Sequence, residues 1–239
     1  VVVGSGEQGR ELVESDVQLI TFTGSQTTGK HILEHAGKGL KRVLLELGGK
    51  DPLIILDDAD LDAAAKFAAS NSFRNTGQVC VSTEKIFVME GQMREFAKKI
   101  KKYTSEIQVG PMIHSRQKDH VLQQIDKAVS GGAKIIYGDP QKTEGNHLQP
   151  VILVDVTPEM NIMMDETFGP VVCVTAVKNE NEAVEQSNSG SYALGCVIFS
   201  TNLEHARSVA RRLDAGMVGI NRRVGCLLYT SDAADEEDS

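Results

Sequence analysis

The sequence lacks the features that would place it in a membrane or on a nucleic acid. None of its apolar runs approaches the roughly 18 residues that cross a bilayer. The opening residues Val1-Val2-Val3-Gly4 carry neither the basic residues nor the cleavage site of a signal peptide. The formal net charge of -8 gives a phosphate backbone little to bind. We therefore expect no membrane partner and no nucleic-acid partner.

Cysteine is also scarce. Cys80, Cys173, Cys196 and Cys226 are widely spaced and form no CxxC pair. This excludes a dense disulfide framework and is typical of a reducing compartment, so we expect a cytoplasmic protein. Cys173 and Cys196 lie in apolar runs and should be buried and unreactive. Cys80 has glycine, glutamine and asparagine around it, and it is the cysteine for which reactivity is expected.

What is present is typical of a globular protein, with 41% hydrophobic and 24% charged residues. The length of 239 residues allows one large domain or two small ones. Strand-like and helix-like segments alternate, which predicts an α/β fold with a largely parallel sheet. The predicted strands are 17–22, 41–47, 52–56, 85–89, 134–137, 151–155, 171–177, 193–199 and 217–221. The predicted helices are 26–36, 60–73, 91–106, 115–130, 180–188 and 202–214.

A glycine-bounded turn, Gly24-Ser25 with Gly29 beyond it, stands between a predicted strand and a predicted helix. The unpaired amides and the dipole at a helix start favour a phosphate, which makes Gly24, Ser25 and Gly29 candidate dinucleotide contacts. The alternative is an ordinary tight turn with Ser25 as the helix cap. Upstream, residues 4–9 spell GxGxxG, but a single match of this kind is weak and is given a minor role at most.

Residues 31–35 spell HxxEH, the pattern of an inverted zinc-protease motif. No third ligand is evident, and the segment belongs to the helix that follows the glycine turn. We therefore interpret His31 and His35 as partly exposed histidines and predict no metal site.

Two residues combine into covalent acyl chemistry. Cys80 can attack a carbonyl as a thiolate, and Glu46, at the end of the strand before Gly48-Gly49, can later activate water. Amides near the turn would depress the thiol pKa, and burial of the strand end would raise the pKa of Glu46. The alternatives are a buried structural cysteine and a glutamate paired with a nearby lysine or arginine.

These segments resemble the active-site signatures of the aldehyde dehydrogenases. The motifs are Leu45-Glu46-Leu47-Gly48-Gly49-Lys50, Phe73-Arg74-Asn75-Thr76-Gly77-Gln78-Val79-Cys80 and Glu166-Thr167-Phe168-Gly169-Pro170. One position departs from the family, since Ser82 stands where alanine, glycine, asparagine or cysteine is usual. The resemblance runs from about Val1 to about Asn221 and begins and ends inside the family's span, so we expect a piece of a longer protein.

The resemblance implies an aldehyde dehydrogenase-like α/β fold in three parts. Residues 1–47 would be the C-terminal part of a Rossmann-type dinucleotide-binding domain and 48–224 a truncated catalytic domain with a largely parallel sheet. Residues 225–239, rich in acids and small residues, would be a disordered or foreign tail. The cofactor would be NAD or NADP, because the residues that read the ribose would precede Val1. The longer protein would be a homo-oligomer.

The resemblance also implies site roles. Cys80 would form a thiohemiacetal and then a thioester with a small aldehyde, and Glu46 would activate the water that releases the acid. Glu166 would hold the nicotinamide ribose beside Phe168, and Leu47 would join the cofactor contacts. Arg74 resembles the arginine that holds the distal carboxylate in succinate-semialdehyde dehydrogenases, with a purely structural arginine as the equal alternative.

Three other interpretations remain open from the sequence. A thiol-dependent esterase would use Cys80 and Glu46 without a dinucleotide. A binding or structural protein would leave Cys80 unreactive. The 239 residues could also be an inactive part of an active enzyme.

Overall fold

The computed structural model describes residues 1–224, which divide into two compact units, one of residues Val1–Gly48 and one that begins at Gly49. The division lies one residue from the boundary expected between 47 and 48. The expected tail, 225–239, and Cys226 lie outside the described residues. Within residues 1–224, no helix is both long enough and apolar enough to span a bilayer.

The first unit is small. It contains helix α1 (Gly6–Glu14), strand β1 (Leu19–Thr23), helix α2 (Gln26–Lys38) and strand β2 (Arg42–Glu46). The two strands pair in parallel, from Leu19 opposite Arg42 to Thr23 opposite Glu46. The sequence does not predict α1, which includes most of the GxGxxG match. Its start is stabilised by a capping box, in which Ser5 and Gln8 each satisfy an amide at the helix start.

Strand β2 corrects the expectation of a buried strand. Arg42 and Leu44 are exposed, and Val43, Leu45 and Glu46 are only half-buried. The reason is that α2 packs on one face of a two-stranded sheet while the other face stays open in this unit.

The second unit contains most of the chain. Its strands are β3 (Asp51–Ile55), β4 (Thr83–Met89), β5 (Lys134–Tyr137), β6 (Val151–Val154), β7 (Val171–Val177), β8 (Gly195–Phe199) and β9 (Met217–Ile220). Its helices are α3 (Leu61–Phe73), a 3₁₀ turn (Arg74–Gly77), α4 (Glu90–Thr104), α5 (Ser115–Ser130), α6 (Asn161–Met164), α7 (Glu180–Ser187) and α8 (Leu203–Ala210). The sequence does not predict α6, a single turn.

The strands form a seven-stranded sheet in the order β5-β6-β7-β4-β3-β8-β9. All neighbours run parallel except the edge pair β5 and β6, which is antiparallel. The predicted α/β fold with a largely parallel sheet is therefore confirmed.

Apolar side chains cover both faces of this sheet. Along β3, Leu53 and Ile55 belong to one core with α3 and α4, and Ile54 belongs to the opposite core with α5, α7 and α8. A strand buried on both sides must be apolar at every position, which is why Pro52-Leu53-Ile54-Ile55-Leu56 shows no alternation. Burial of each such side chain contributes about 1.5–3 kcal/mol.

Helix α3 brings the nucleophile segment close to the sheet. Asp60 caps its start by accepting hydrogen bonds from the amides of Asp62 and Ala63, at 2.9 and 3.1 Å. Its inner face is made of alanines, of which Ala64, Ala65, Ala68 and Ala69 are fully buried. Small side chains allow the helix axis to approach the strands closely.

The candidate residues occupy opposite strand ends in the two units. In the first unit, Gly24 and Leu47 follow the carboxyl ends of β1 and β2, the usual side for ligands of parallel sheets. In the second unit, Cys80 and Glu166 lie in segments that precede the amino ends of β4 and β7. The candidate residues of the second unit therefore lie in loops that lead into the strands.

Candidate active site

The glycine turn of the first unit has a geometry suited to an anion. The Gly24 amide donates to the carbonyl oxygen of Glu46 at 3.0 Å, which joins the turn to the end of β2. Ser25 caps α2, because its hydroxyl accepts a hydrogen bond from the amide of Thr28 at 3.2 Å. The turn thus shows the helix cap that the sequence left open as one interpretation, and an anion site at this turn stays a prediction.

Gly29 permits the close packing of α2 on β2. A Cβ at this position would lie 2.8 Å from the side chain of Leu47, closer than side chains tolerate. Leu47 therefore has a packing role, and its side chain helps to place the start of α2 beside the end of β2.

An apolar groove of about 520 Å³ lies between the two helices of the first unit. It is lined by Gly6, Gly9, Arg10, Leu12, Val13, Ile20, Thr21, Phe22, Thr28, His31, Ile32 and His35. Two glycines of the GxGxxG match, Gly6 and Gly9, therefore contribute to a groove as part of a helix rather than of a phosphate loop. The histidines of the HxxEH segment line the groove as well. Among residues 1–224, no cluster of three or more histidine, cysteine, aspartate or glutamate residues could hold a metal ion.

Glu46 ends β2 as a half-buried side chain. The alternative partners considered from the sequence are otherwise engaged. Lys41 donates to the carbonyl oxygens of Val13 and Ser15, and Lys50 pairs with Glu84 inside the second unit. Glu46 forms no ion pair with Lys41 or Arg42 among the described residues, which leaves its carboxylate available for chemistry.

Cys80 is half-buried, whereas Cys173 and Cys196 are 1% exposed, as expected. Burial raises the pKa of Cys173 to about 12 and that of Cys196 further. The carbonyl of Cys80 lies so close to Gly49 that a Cβ there would be 2.2 Å from its oxygen. Gly49 is thus the residue that allows the strand β3 segment to pass the nucleophile segment.

The thiol pKa corrects the expectation from the sequence. Burial raises the pKa of Cys80 above its ordinary value, and the nearby charges of Asp51 and Glu166 raise it further. The amides of Val81 and Cys80 itself lower it, as the turn predicted, but they do not outweigh burial and the acids. The raised pKa favours the protonated thiol over the thiolate.

Ser82, the position that departs from the family pattern, fixes the nucleophile segment to the end of α3. Its hydroxyl lies 3.1 Å from the carbonyl oxygens of both Asn71 and Ser72, to which it donates. Asn71 in turn donates to the carbonyl oxygen of Val81 and to the hydroxyl of Thr83, at 3.2 and 3.0 Å. Asn71 was not a candidate, and only its place at the helix end could have suggested this role.

Glu166 lies in a turn that is held from beneath by a buried ion pair. Its carboxylate accepts a hydrogen bond from the amide of Gly49 at 3.0 Å. Burial and the charge of Glu84 raise its pKa to about 7, against the opposing effects of that amide and Lys50. This acid can therefore change charge near neutral pH.

Glu84 is the residue that sequence reasoning missed. It is 3% exposed and accepts hydrogen bonds from the amides of Thr167 and Phe168, each at 2.8 Å. The ammonium of Lys50, also buried, lies 2.5 Å from it and donates to the hydroxyl of Thr167 at 3.0 Å. These contacts stabilise Phe168 in a left-handed conformation, with φ 48°. Motif matching could not identify Glu84, because its partners lie far away in the sequence.

Gly77 allows the 3₁₀ turn to pack against the segment that contains Glu166, Phe168 and Gly169. It has φ 71°, and a Cβ would lie 2.0 Å from the carbonyl oxygen of Gly169. The side chain of Gln78 accepts a hydrogen bond from the amide of Ile113 at 2.9 Å. The Gly77-Gln78 part of the nucleophile motif therefore positions the segment.

Arg74 is exposed at the start of the 3₁₀ turn and lines a cavity of about 400 Å³.

Asn221, which follows β9, has φ 55°. Its side chain donates a hydrogen bond to the carbonyl oxygen of Ser200 and accepts one from the amide of Ser200. Asn221 therefore joins the ends of β8 and β9.

Within the second unit the structure thus brings together Cys80, Glu166 and the turn that carries Phe168. Gly24, Ser25, Gly29, Leu47 and Glu46 form a second group within the first unit.

Comparison with known proteins identifies the family. A model described as the aldehyde dehydrogenase family matches residues 1–228. The chain is 37% identical over 230 residues to a succinate-semialdehyde dehydrogenase [NADP(+)] of Deinococcus radiodurans, covering 92% of this chain and 47% of that protein. It is also 37% identical to a betaine aldehyde dehydrogenase of Sinorhizobium fredii, covering 92% and 48%.

The solved structures agree. The NADP-dependent glyceraldehyde-3-phosphate dehydrogenase of Bacillus halodurans, complexed with NADP, superimposes with a TM-score of 0.89 at 37% identity. The match covers 94% of this chain and 48% of that one. The chain thus spans about half the length of the curated relatives it matches. The resemblance and the fold predicted from the motifs are confirmed, and the chain belongs to the aldehyde dehydrogenase family.

Proposed function

We propose that the longer protein to which this chain belongs oxidises an aldehyde to a carboxylic acid with NAD or NADP. The observation that supports this most directly is the contrast among the described cysteines. Cys80 is accessible in a turn beside Glu166, while Cys173 and Cys196 are sealed in the core. The family and the cofactors named for its relatives agree with this chemistry.

Cys80 supplies the nucleophile. Its thiolate adds to the aldehyde carbon, and the backbone amide of Cys80 would stabilise the negative charge that develops on the aldehyde oxygen. A bound nicotinamide would supply the acceptor for the hydride that leaves the thiohemiacetal carbon. The thioester that remains on Cys80 is then hydrolysed. Because the pKa of Cys80 is raised, the reaction should accelerate with pH as the thiol ionises.

Glu46 is proposed as the base that activates water for the hydrolysis. Its half-buried carboxylate ends β2 and has no ion pair with Lys41 or Arg42. Replacement by glutamine preserves shape and removes the basic oxygen, so Glu46→Gln in the longer protein should accumulate the acyl-enzyme. Mass spectrometry of the quenched reaction would detect that adduct on Cys80. Unchanged thioester hydrolysis would show that Glu46 is not the base.

Candidate dinucleotide contacts are proposed for each unit separately. In the first, the apolar groove suits a flat base, and the Gly24-Ser25 turn at the start of α2 suits a phosphate, with Gly29 and Leu47 shaping the approach. In the second, Glu166 would accept hydrogen bonds from ribose hydroxyl groups beside Phe168. One Glu166 oxygen is held by Gly49, which orients the other. A thiol esterase would bind no dinucleotide, and calorimetric titration with NAD and NADP tests this.

The substrate is proposed to carry an anionic group in addition to its neutral aldehyde. Arg74 is exposed within the nucleophile segment, and the guanidinium pairs with carboxylates through two parallel hydrogen bonds. The relatives do not choose the substrate, since one is named for succinate semialdehyde and another for betaine aldehyde. Turnover of succinate semialdehyde should exceed that of butanal, a neutral aldehyde of equal chain length. Equal turnover would contradict a carboxylate-specific site.

Decisive evidence for the activity would come from Cys80→Ser in the longer protein. NADH or NADPH formation should fall by about 10³-fold or more, because the hydroxyl is a far weaker nucleophile without an activating base. Cys173→Ser, at a sealed cysteine, is the matched control and should retain activity. Loss of activity in the control variant alone would overturn the assignment of the nucleophile.

A further inference from the structure

A cavity of about 400 Å³ opens where the end of α3 and the 3₁₀ turn meet the loop after α4. Its lining contains two positively charged residues, Arg74 and Arg223, and none of the described residues that line it is acidic. The two arginines come from distant parts of the sequence, and the fold alone brings them together.

The other walls are largely apolar. Phe73, Ile107, Val109 and Pro111 line the cavity, and Ser70, Asn75, Thr76, Gln108 and Gly110 complete it. An apolar cavity with a few convergent polar groups is the usual form of a small-molecule site. Here the convergent groups are cationic, so the ligand class they favour is an anion with a short apolar chain.

Arg223 is oriented within this cavity. Its guanidinium donates to the hydroxyl of Ser70 at 2.8 Å, which fixes the direction of the side chain. Neither Arg74 nor Arg223 forms an ion pair with an acidic residue in the part of the chain that is described. Burial and the nearby charge of Arg74 lower the pKa of Arg223. Two like charges that share a cavity are each destabilised, and an anion between them removes that penalty.

The backbone that presents Arg74 is strained. Asn75 and Thr76, the next two residues, have φ values of 50° and 61°, which side chains seldom adopt. The strain is held in place by the hydroxyl of Thr76, which donates to the carbonyl of Gly110 at 3.0 Å across the cavity rim. Strained residues of this kind concentrate at functional sites. The direction of Arg74 is therefore set by the fold rather than left to a mobile loop.

We propose that Arg74 and Arg223 together form a carboxylate-binding pocket for small organic acids. Guanidinium groups are suited to this ligand because their planar donors match the two oxygens of a carboxylate. Arg223 then becomes a second residue that selects the substrate, by recognising the carboxylate distant from the aldehyde. That use as a substrate contact rests on the proposed function, whereas binding of a carboxylate does not.

The test measures binding directly in the 239-residue chain. Succinate is titrated into ¹⁵N-arginine-labelled protein, and the Nε–Hε signals of Arg74 and Arg223 should shift together. Arg74→Gln and Arg223→Gln should each weaken succinate binding by about tenfold or more, because each removes a charge-assisted hydrogen bond. Arg222→Gln is the matched control. Arg222 is exposed next to Arg223 but does not line the cavity, so its loss should leave the affinity unchanged.

The outcomes distinguish failure of the carboxylate-pocket proposal from failure of the proposed function. Succinamide is neutral and should not bind, so binding of succinamide as tight as that of succinate would overturn the pocket. The pocket would also be overturned if Arg222→Gln weakened succinate binding as much as Arg74→Gln or Arg223→Gln does. Tighter binding of inorganic phosphate than of succinate would overturn the carboxylate class. Cys80→Ser should bind succinate normally. If succinate binds through both arginines while the longer protein oxidises no aldehyde, the proposed function fails and the carboxylate pocket stands.

Discussion

The buried pair Lys50 and Glu84 gives a prediction about stability that follows from its geometry. Both side chains are nearly inaccessible, at 2% and 3% exposure, and their charged atoms lie 2.5 Å apart. Glu84 also accepts hydrogen bonds from the amides of Thr167 and Phe168. Glu84→Ala would leave a buried ammonium without its carboxylate and two buried amides without an acceptor. We expect a loss of about 3–5 kcal/mol, the range for breaking a buried pair from one side.

A loss of this size is a large fraction of the roughly 5–15 kcal/mol that stabilises a typical domain. Urea unfolding of the 239-residue chain, followed by far-UV circular dichroism, measures it; the chain has no tryptophan for fluorescence. Glu180→Gln is the control. Glu180 pairs with Arg212 and His205 at the surface, where such pairs are worth less than about 1 kcal/mol.

A double variant separates the charge from the hydrogen bonds. Lys50→Met with Glu84→Gln removes both charges but keeps an amide oxygen for the turn of Thr167 and Phe168. It should recover most of the stability lost in Glu84→Ala, because replacing both partners of a buried pair is often neutral. If Glu84→Ala unfolds within about 1 kcal/mol of the unchanged protein, the pair does not stabilise the turn as the geometry requires.

Three further predictions concern the same unit. The pKa of Glu166 in the folded protein is raised from 4.5 to about 7, so ionisation of this residue opposes folding. The stabilising effect of Glu166→Gln should therefore grow as the pH rises from about 4.5 to about 7. Urea titrations at several pH values measure this, and a pH-independent difference would contradict it. Gly77→Ala should destabilise by about 2 kcal/mol or more, since its Cβ would clash with a backbone carbonyl at positive φ, while Gly145→Ala, at positive φ in open space, should cost only about 1 kcal/mol. Iodoacetamide should label Cys80 before the two buried cysteines, Cys173 and Cys196. The apparent pKa of Cys80 labelling should lie above the ordinary thiol value and should be lower in Asp51→Asn, and labelling of these three cysteines at one rate would refute the difference in burial.

Local pattern was sufficient for most elements of the fold. Continuous apolar runs such as 52–56 and 171–177 indicate strands buried on both faces, and the structure confirms β3 and β7 there. Asp60 indicates the start of α3, because a capping side chain needs only its own neighbours. The helix α1 escaped prediction because its glycines are poor helix formers, and the capping box outweighs them.

The candidate site, like the fold, could be predicted only in part from local sequence. The motifs predicted Cys80 and Glu46 as catalytic residues and Glu166 as a cofactor contact, from residue type and neighbouring sequence. They did not predict the direction of the thiol pKa, because burial by the fold raises it and Asp51, at the start of β3, raises it further. They also overestimated the burial of β2, which depends on what covers the sheet rather than on the strand itself.

The sequence by itself determined the family and the α/β class, and it supplied the candidates for the reactive side chains, because these depend on residue type and short-range spacing. The tertiary structure alone decided the environment of those side chains. Glu84 supports the Glu166 turn, and Arg223 joins Arg74, through contacts between residues far apart in the chain. Burial and electrostatic fields are sums over such distant neighbours, so no local pattern contains them.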